Sequence, residues 1–135
     1  MQEKVYKLGF IDNKMAFKFH YDKEHDILYI RNAIKKVEES VEFSEDIVLD
    51  LDKEGRVIGV ELFYASELFN LLNKDIDKEF FINLSDAGLE YKDYRNVWYV
   101  LLILKSGNKV ISQALPPLRK SEYVSPLIAS CNSNE

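Results

Sequence analysis

Ile47-Val48-Leu49-Asp50-Leu51-Asp52-Lys53-Glu54-Gly55-Arg56-Val57-Ile58-Gly59-Val60-Glu61-Leu62-Phe63 is the stretch whose reading decides the fold. Ile47, Leu49 and Leu51 alternate with Val48 and Asp50, so a chain extended over Ile47 to Asp52 puts its larger apolar side chains on one face. Asp52-Lys53-Glu54-Gly55 then breaks the pattern with residues suited to a turn, Gly55 being free to take the positive φ that a short hairpin loop needs. Val57 to Phe63 resumes as a second strand, and the seventeen residues read as one antiparallel hairpin.

The same period of two spreads outward on the N-terminal side. Val37, Glu39, Val41 and Phe43 alternate, and Ser44-Glu45-Asp46 separates them from Ile47. Ile27 to Arg31 reads as a strand. Met15, Phe17, Phe19 and Tyr21 alternate with Ala16, Lys18 and His20, and an earlier strand over Val5 to Phe10 is expected to pair with them across a turn at Asp12-Asn13. Together these strands predict an antiparallel meander completed by Val57 to Phe63. The period then changes. Leu68, Leu71 and Leu72 fall at i, i+3 and i+4 behind Ser66, an N-cap residue type, which predicts one short helix. Glu79 to Leu84 reads as a strand and Ser85-Asp86-Ala87-Gly88 as the turn after it. Val97 to Lys105 and Lys109 to Leu115 flank Ser106-Gly107-Asn108 and predict a C-terminal hairpin. Its first strand is apolar on both faces, which places it mid-sheet or beneath the helix. Pro116-Pro117 ends its second strand. The fold class is therefore α+β, mainly β, in one domain over residues 1–135: a meander plus helix over 15–70, C-terminal strands over 79–115, and a tail over 121–135.

Composition fits that reading and narrows the function classes. Of the 135 residues, 47% are hydrophobic and 30% charged, which is globular rather than disordered. The longest apolar run, the eight residues Val97 to Leu104, is far short of the roughly 20 a membrane-spanning helix needs. The opening MQEKVYKLGF carries charges where an export signal needs an apolar core. With no such signal and one cysteine, Cys131, the expected location is the cytoplasm. A net charge of −5 argues against a nucleic-acid partner, which would be bound largely by neutralising phosphates. The charge is also lopsided. Asp22 to Glu54 holds eleven acidic and five basic side chains, whereas Lys105 to Lys120 holds Lys105, Lys109, Arg119 and Lys120 with no acid. Such asymmetry could steer a charged partner or a second copy, although a solvated face is the commoner meaning of a charge run.

Tyr21-Asp22-Lys23-Glu24-His25-Asp26-Ile27-Leu28-Tyr29-Ile30-Arg31 resembles the opening of the prokaryotic family called domain of unknown function 2283 (DUF2283). The acidic turn Asp50-Leu51-Asp52-Lys53-Glu54, the run Gly55-Arg56-Val57-Ile58-Gly59-Val60-Glu61, and Ala65-Ser66 are similar to further elements of that family. The resemblance covers roughly residues 15 to 70. It implies a small β-meander followed by a helix and no established activity. Its genes often lie beside those of small toxin-like proteins, which implies an antitoxin-like or partner-neutralising role, and the sixty-odd residues that follow here depart from the family's short form.

Two polar clusters invite chemistry. Asp50, Asp52, Glu54, Gly55 and Glu61 fall at positions 1, 3, 5, 6 and 12 of an EF-hand calcium loop. An EF-hand needs flanking helices, however, and here the flanks alternate as strands. A hairpin is expected to point Asp50 and Glu61 away from a common centre, so Asp50, Asp52, Glu54 and Glu61 are weak metal candidates. Asp22, Glu24, His25 and Asp26, with His20 nearby, could be imagined as a metal or acid–base site. Two histidines in the chain leave little to build it with, and the structural reading is a solvated turn in which Asp22 accepts backbone hydrogen bonds. Trp98, Tyr99, Tyr91 and Tyr94 could stack on bases, but few basic groups lie near them, and a core or sheet-edge role is expected. No phosphate-binding glycine loop, nucleophile elbow or Cys–His pair occurs, so no catalytic residue and no cofactor is assigned.

The leading expectation is a non-enzymatic protein–protein interaction module, antitoxin-like or self-associating as a homo-oligomer through a sheet edge or an apolar sheet face. A toxin-like small protein is the heterologous partner considered. The alternative is a small-ligand or metal-assisted enzyme that uses the acidic turns.

Overall fold

The computed structural model describes residues 7–11 and 15–120, with side chains from Phe17 onward. It bears out a mainly β chain, built as two antiparallel sheets and two short helices. The strands of the first sheet are β1 (Lys7–Ile11), β2 (Met15–Asp22), β3 (Ile27–Asn32), β4 (Glu39–Glu42), β5 (Ile47–Leu51) and β6 (Val57–Phe63). Their spatial order is β1-β2-β3-β6-β5-β4. Each run of three is a meander, but β3 pairs with β6 rather than β4, from Ile27↔Phe63 to Arg31↔Gly59. The expected single meander is thus two meanders joined at their last strands, with β4 on the outer edge.

The β5–β6 hairpin forms as its sequence requires. Asp52 closes the loop: its N–H donates to the Arg56 carbonyl at 3.0 Å, and its own carbonyl accepts from Gly55 N–H at 3.0 Å. Gly55 has φ 78°, the left-handed conformation expected of it. β6 carries one extra residue, since Asp50 pairs with Gly59 but Leu51 pairs with Val57. The bulge at Ile58 leaves Ile58 and Val57 both buried. The turn expected at Asp12-Asn13 lies outside the described residues, as do the tail over 121–135 and Cys131.

Helix α1 (Ala65–Leu72) confirms the change of period but not its details. Ser66 is not the N-cap. Tyr64 takes that position, in left-handed conformation with no side-chain cap bond, and the open N–H groups are satisfied from elsewhere. Nor do Leu71 and Leu72 face inward: Leu71 is 79% exposed, whereas Ala65 and Phe69 are fully buried. Glu79 to Leu84 is the larger correction, because Lys78–Ile82 is a second helix, α2, rather than a strand. The Asp77 carboxylate accepts from Phe80 N–H at 2.9 Å and caps it. Ser85 to Gly88, expected as a turn, is strand: β7 runs over Leu84–Tyr94, with a register shift between Leu84 and Asp86.

β7 pairs along its length with β8 (Val97–Ser106), which pairs on its other side with β9 (Lys109–Ala114) and β10 (Leu118–Arg119). The C-terminal hairpin is therefore present, and its apolar strand lies mid-sheet as expected. Its faces are not equivalent: Trp98, Val100, Leu102 and Leu104 are buried, while Tyr99 is 45% exposed and Leu101 and Ile103 are half-buried. The buried side of this second sheet joins α1, α2 and the inner face of the first sheet (Phe17, Phe19, Leu28, Ile30, Leu49, Val60, Leu62) in one continuous core. Among the described residues no helix is long and apolar enough to cross a membrane.

Candidate functional site

Asp22, Glu24, His25 and Asp26 form the β2–β3 turn, and the structure resolves them into two separate tasks. Asp22 Oδ1 accepts from Glu24 N–H at 3.0 Å and His25 N–H at 3.1 Å, which is the turn role expected of it. Its Oδ2 lies 2.9 Å from His25 Nδ1. Burial opposes ionisation of Asp22, but the His25 side chain and the backbone N–H groups outweigh it and hold the carboxyl below its ordinary range. Glu24 and His25 are exposed. Asp26 turns the other way, with φ 54°, toward a helix forty residues later. Its carboxylate accepts from Ser66 N–H at 3.0 Å and from Ser66 Oγ at 2.7 Å, and its carbonyl accepts from Ala65 N–H at 2.9 Å. The α1 N-terminus is therefore capped by a turn distant in sequence. Tyr21 OH donates to the same carboxylate at 2.5 Å. Burial, and next that bond, raise the Tyr21 pKa well above its ordinary value, so Tyr21 is a donor at all ordinary pH. The cluster is a structural clamp between β2, the turn and α1.

The four acidic candidates of the hairpin also separate. Asp50 and Glu61 share the outer face of the first sheet, because Asp50 is level with Gly59 and Glu61 with Val48, but they do not converge with Asp52 and Glu54 on a common centre. Asp50 is nevertheless committed elsewhere. It is only 2% exposed, accepts from Ser40 Oγ at 2.7 Å and from Arg31 Nε at 3.3 Å. Arg31 stands on β3 and Asp50 on β5, so their bond passes over Gly59 of the intervening β6. Asp52 Oδ1 accepts from Arg56 N–H at 2.9 Å and Glu54 N–H at 3.0 Å. Its buried Oδ2 has no hydrogen bond and lies 3.9 Å from Lys35 Nζ. Burial works to raise the Asp52 pKa, but the Arg56 and Glu54 N–H groups and then the Lys35 and Arg56 charges prevail and lower it. Glu54 is exposed. No group of three metal-ligating side chains converges anywhere among the described residues. Added calcium is therefore expected to leave the melting temperature unchanged, where a ligand bound only by the native state at a hundred times its Kd would add about 2.7 kcal/mol. An upward shift at millimolar calcium that disappears in Asp52→Ala would contradict this.

Of the aromatic candidates, Trp98 is buried, with Lys120 Nζ 5.1 Å from its ring centroid, while Tyr94 and Tyr99 are exposed at 55% and 45%. They do not assemble a base-stacking platform: Trp98 and Tyr99 are neighbours on β8 and so point to opposite faces.

The sequence reading missed a groove between the two sheets. It has a volume of about 480 Å³, with Phe17, Val57, Ile58 and Leu89 as its apolar lining and Lys35, Arg56, Glu90 and Tyr91 among its polar ones. Asp52 sits behind it, paired to Lys35. The lining comes from four separate stretches, around Phe17, Lys35, Arg56 to Ile58 and Leu89 to Tyr91, so no local motif marks it; the one sequence signal was the family-like hairpin that carries Asp52 and Arg56 to Ile58.

A second feature missed is the free side of the second sheet. Gly107, at φ 60°, opens the two-residue turn Gly107-Asn108, and Ser106 faces Lys109 across it. In such a hairpin Lys109, Ile111 and Gln113 bond to β8, a pattern continued by Leu115 N–H to the Val100 carbonyl at 2.9 Å. Val110, Ser112 and Ala114 then direct their backbone groups away from the sheet, where no strand follows among the described residues. The Ala114 carbonyl accepts from Gln113 Nε2 at 3.0 Å. From Val110 to Ala114 this edge carries no charge. It borders an outer face where Tyr99 is 45% and Val110 64% exposed.

Comparison with known proteins finds sequence relatives of this chain. The family model described as protein of unknown function (DUF2283) matches residues 18–66. An uncharacterized protein of Methanocaldococcus jannaschii is 30% identical over 101 residues, 75% of this chain and 85% of that protein. A Methanosarcina mazei protein named "Putative hypoxanthine phosphoribosyltransferase" is 25% identical over 104 residues, 77% of this chain and 81% of that protein. Both alignments extend past the stretch matched by the family model. No solved structure matches significantly.

Proposed function

The chain belongs to the DUF2283 family, and from that premise we propose that it works as a non-enzymatic interaction module that self-associates through the free side of its second sheet. The observation that carries this reading is that the uncharged edge Val110–Ala114 adjoins an outer face bearing Tyr99, Leu101, Ile103 and Val110. Exposed edges are normally blunted by charge, proline or cover, and one left uncharged is a template for another strand. The opposite edge of the first sheet illustrates the contrast, since β4 reads Glu39-Ser40-Val41-Glu42 and is guarded by acids.

A second copy suits the β9 edge. Antiparallel pairing about Ser112 sets Val110 against Ala114 and Ser112 against itself, both pairs using the outward-directed backbone groups. Lys109 of each copy then lies beyond the paired residues, so no like charges oppose one another. A toxin-like small protein offering a strand would compete for the same edge.

The name of the Methanosarcina mazei relative suggests a different class, a transferase acting on a phosphate-bearing substrate. Phosphate sites are commonly built from backbone N–H groups in a loop that opens a helix. At the Asp50-Leu51-Asp52 strand end of this chain, the loop N–H groups of Glu54 and Arg56 are taken by the Asp52 carboxylate, and the loop leads into β6. That arrangement favours the binding reading over the transferase one.

Light scattering at micromolar concentration is expected to give a mass near twice 15.8 kDa. Ser112→Pro should return it to one chain without unfolding, because the Ser112 N–H points away from β8 and its loss removes no bond inside the sheet. A monomeric mass at every accessible concentration, or a dimer indifferent to Ser112→Pro and Tyr99→Glu, would overturn the proposal.

A further inference from the structure

The groove between the sheets has the make-up of a small-molecule site, and none of its lining residues lies on β9. Its volume of about 480 Å³ falls within the range of ligand pockets, which combine an apolar lining with a few placed polar groups. Phe17, Val57, Ile58 and Leu89 are each 6% exposed or less, so the lining belongs to the packed core and is preformed. The bulge in β6 brings Val57 and Ile58 into it together.

Charge selects the kind of ligand. Lys35 and Arg56 are set against the single acid Glu90 among the lining residues. Lys35 is anchored from behind, its backbone N–H donating to Asn32 Oδ1 at 2.9 Å and its ammonium lying 3.9 Å from the buried Asp52 Oδ2. That distance is too long for a hydrogen bond, so Asp52 positions Lys35 without consuming its donors. Arg56 is held at the turn by its backbone bond to Asp52 Oδ1, and its guanidinium makes no ion pair among the described residues. Burial raises the Tyr91 pKa, the Arg56 charge works against this and Asp52 with it, so Tyr91 contributes a neutral hydroxyl donor.

We propose that this groove binds a small planar organic anion, with its carboxylate held between Lys35 and Arg56 and its ring against Phe17, Leu89 and Tyr91.

The test uses the full chain with 2-naphthoate and, as its uncharged counterpart, 2-naphthylmethanol, titrated by calorimetry and followed in amide chemical shifts. Naphthoate should bind roughly tenfold or more tightly than the alcohol, the scale of one charge-assisted hydrogen bond. Lys35→Gln with Arg56→Gln should remove that preference, with amide shifts away from the groove unchanged to show that the fold is retained although Asp52 Oδ2 loses its Lys35 partner. Shifts should centre on Phe17, Leu89 and Tyr91. Equal affinity for acid and alcohol, a preference that survives the double substitution, shifts centred elsewhere, or no binding of either compound would each overturn the assignment. A failure here leaves β9 pairing untouched, and a monomeric protein leaves this test intact.

Discussion

Phe81→Ala is expected to cost about 3–5 kcal/mol of stability, the range for deleting a fully packed aromatic side chain. Phe81 is 1% exposed. Its ring stacks on Tyr21 of β2 at 5.2 Å between centroids and meets Phe69 of α1 edge-on at 5.6 Å and Phe80 at 5.8 Å. It therefore ties α2 and α1 to the first sheet through one side chain. The backbone is fixed there as well, since Ser106 Oγ donates to the Phe80 carbonyl at 2.7 Å in a buried bond. The surroundings cannot close over the hole easily, because Phe81 and Tyr21 also line a groove of about 320 Å³ with Phe19, Ile82 and Leu84. Urea unfolding would measure the loss, with Phe81→Leu as a milder companion. A loss below about 1 kcal/mol, the level of an ordinary point substitution, would show that α2 is not packed as described.

The same residue explains where the sequence misleads. In Glu79-Phe80-Phe81-Ile82-Asn83-Leu84 the apolar residues are consecutive, and a short apolar run has no period to separate strand from helix. A strand would send Phe80 and Phe81 to opposite faces, whereas both are buried in α2. The overlooked signal was Asp77, three residues before Phe80 and able to cap. Ser85-Asp86-Ala87-Gly88 has turn composition, yet it lies in β7 because ten residues of β8 are available to pair with that strand. The hairpins at Gly55 and Gly107 were legible because their information is local. The β3–β6 pairing was not, since Arg31 and Gly59 are twenty-eight residues apart and register over that distance is set by burial of the whole sheet. For the same reason Asp50 was visible as an acid but not as the partner of Arg31, and the groove was not visible at all.

Gly59→Val is the substitution expected to act on that long-range arrangement, with a loss of about 3 kcal/mol from overpacking and from disturbing a buried charge. A Cβ at Gly59 would meet Asp50 Oδ2 at 2.9 Å, the Ile30 carbonyl oxygen at 3.0 Å and Arg31 Cα at 3.3 Å. Two of these atoms are backbone of the neighbouring β3 and cannot move without opening its ladder to β6. The third belongs to a carboxylate 2% exposed, which would have to leave Arg31 and Ser40 with no water to replace them. Glycine is thus required here for the space over β6 that lets Arg31 reach Asp50, not for an unusual φ. Two results separate these causes in urea unfolding. Gly59→Ala should cost less than Gly59→Val, because one methyl keeps only the first contacts. In an Asp50→Ala background the added cost of Gly59→Val should fall, since the carboxylate clash is gone while the clash with β3 remains. If Gly59→Val were tolerated to within about 0.5 kcal/mol, the size of a neutral surface change, the close passage of β3, β6 and β5 at this point would be wrong.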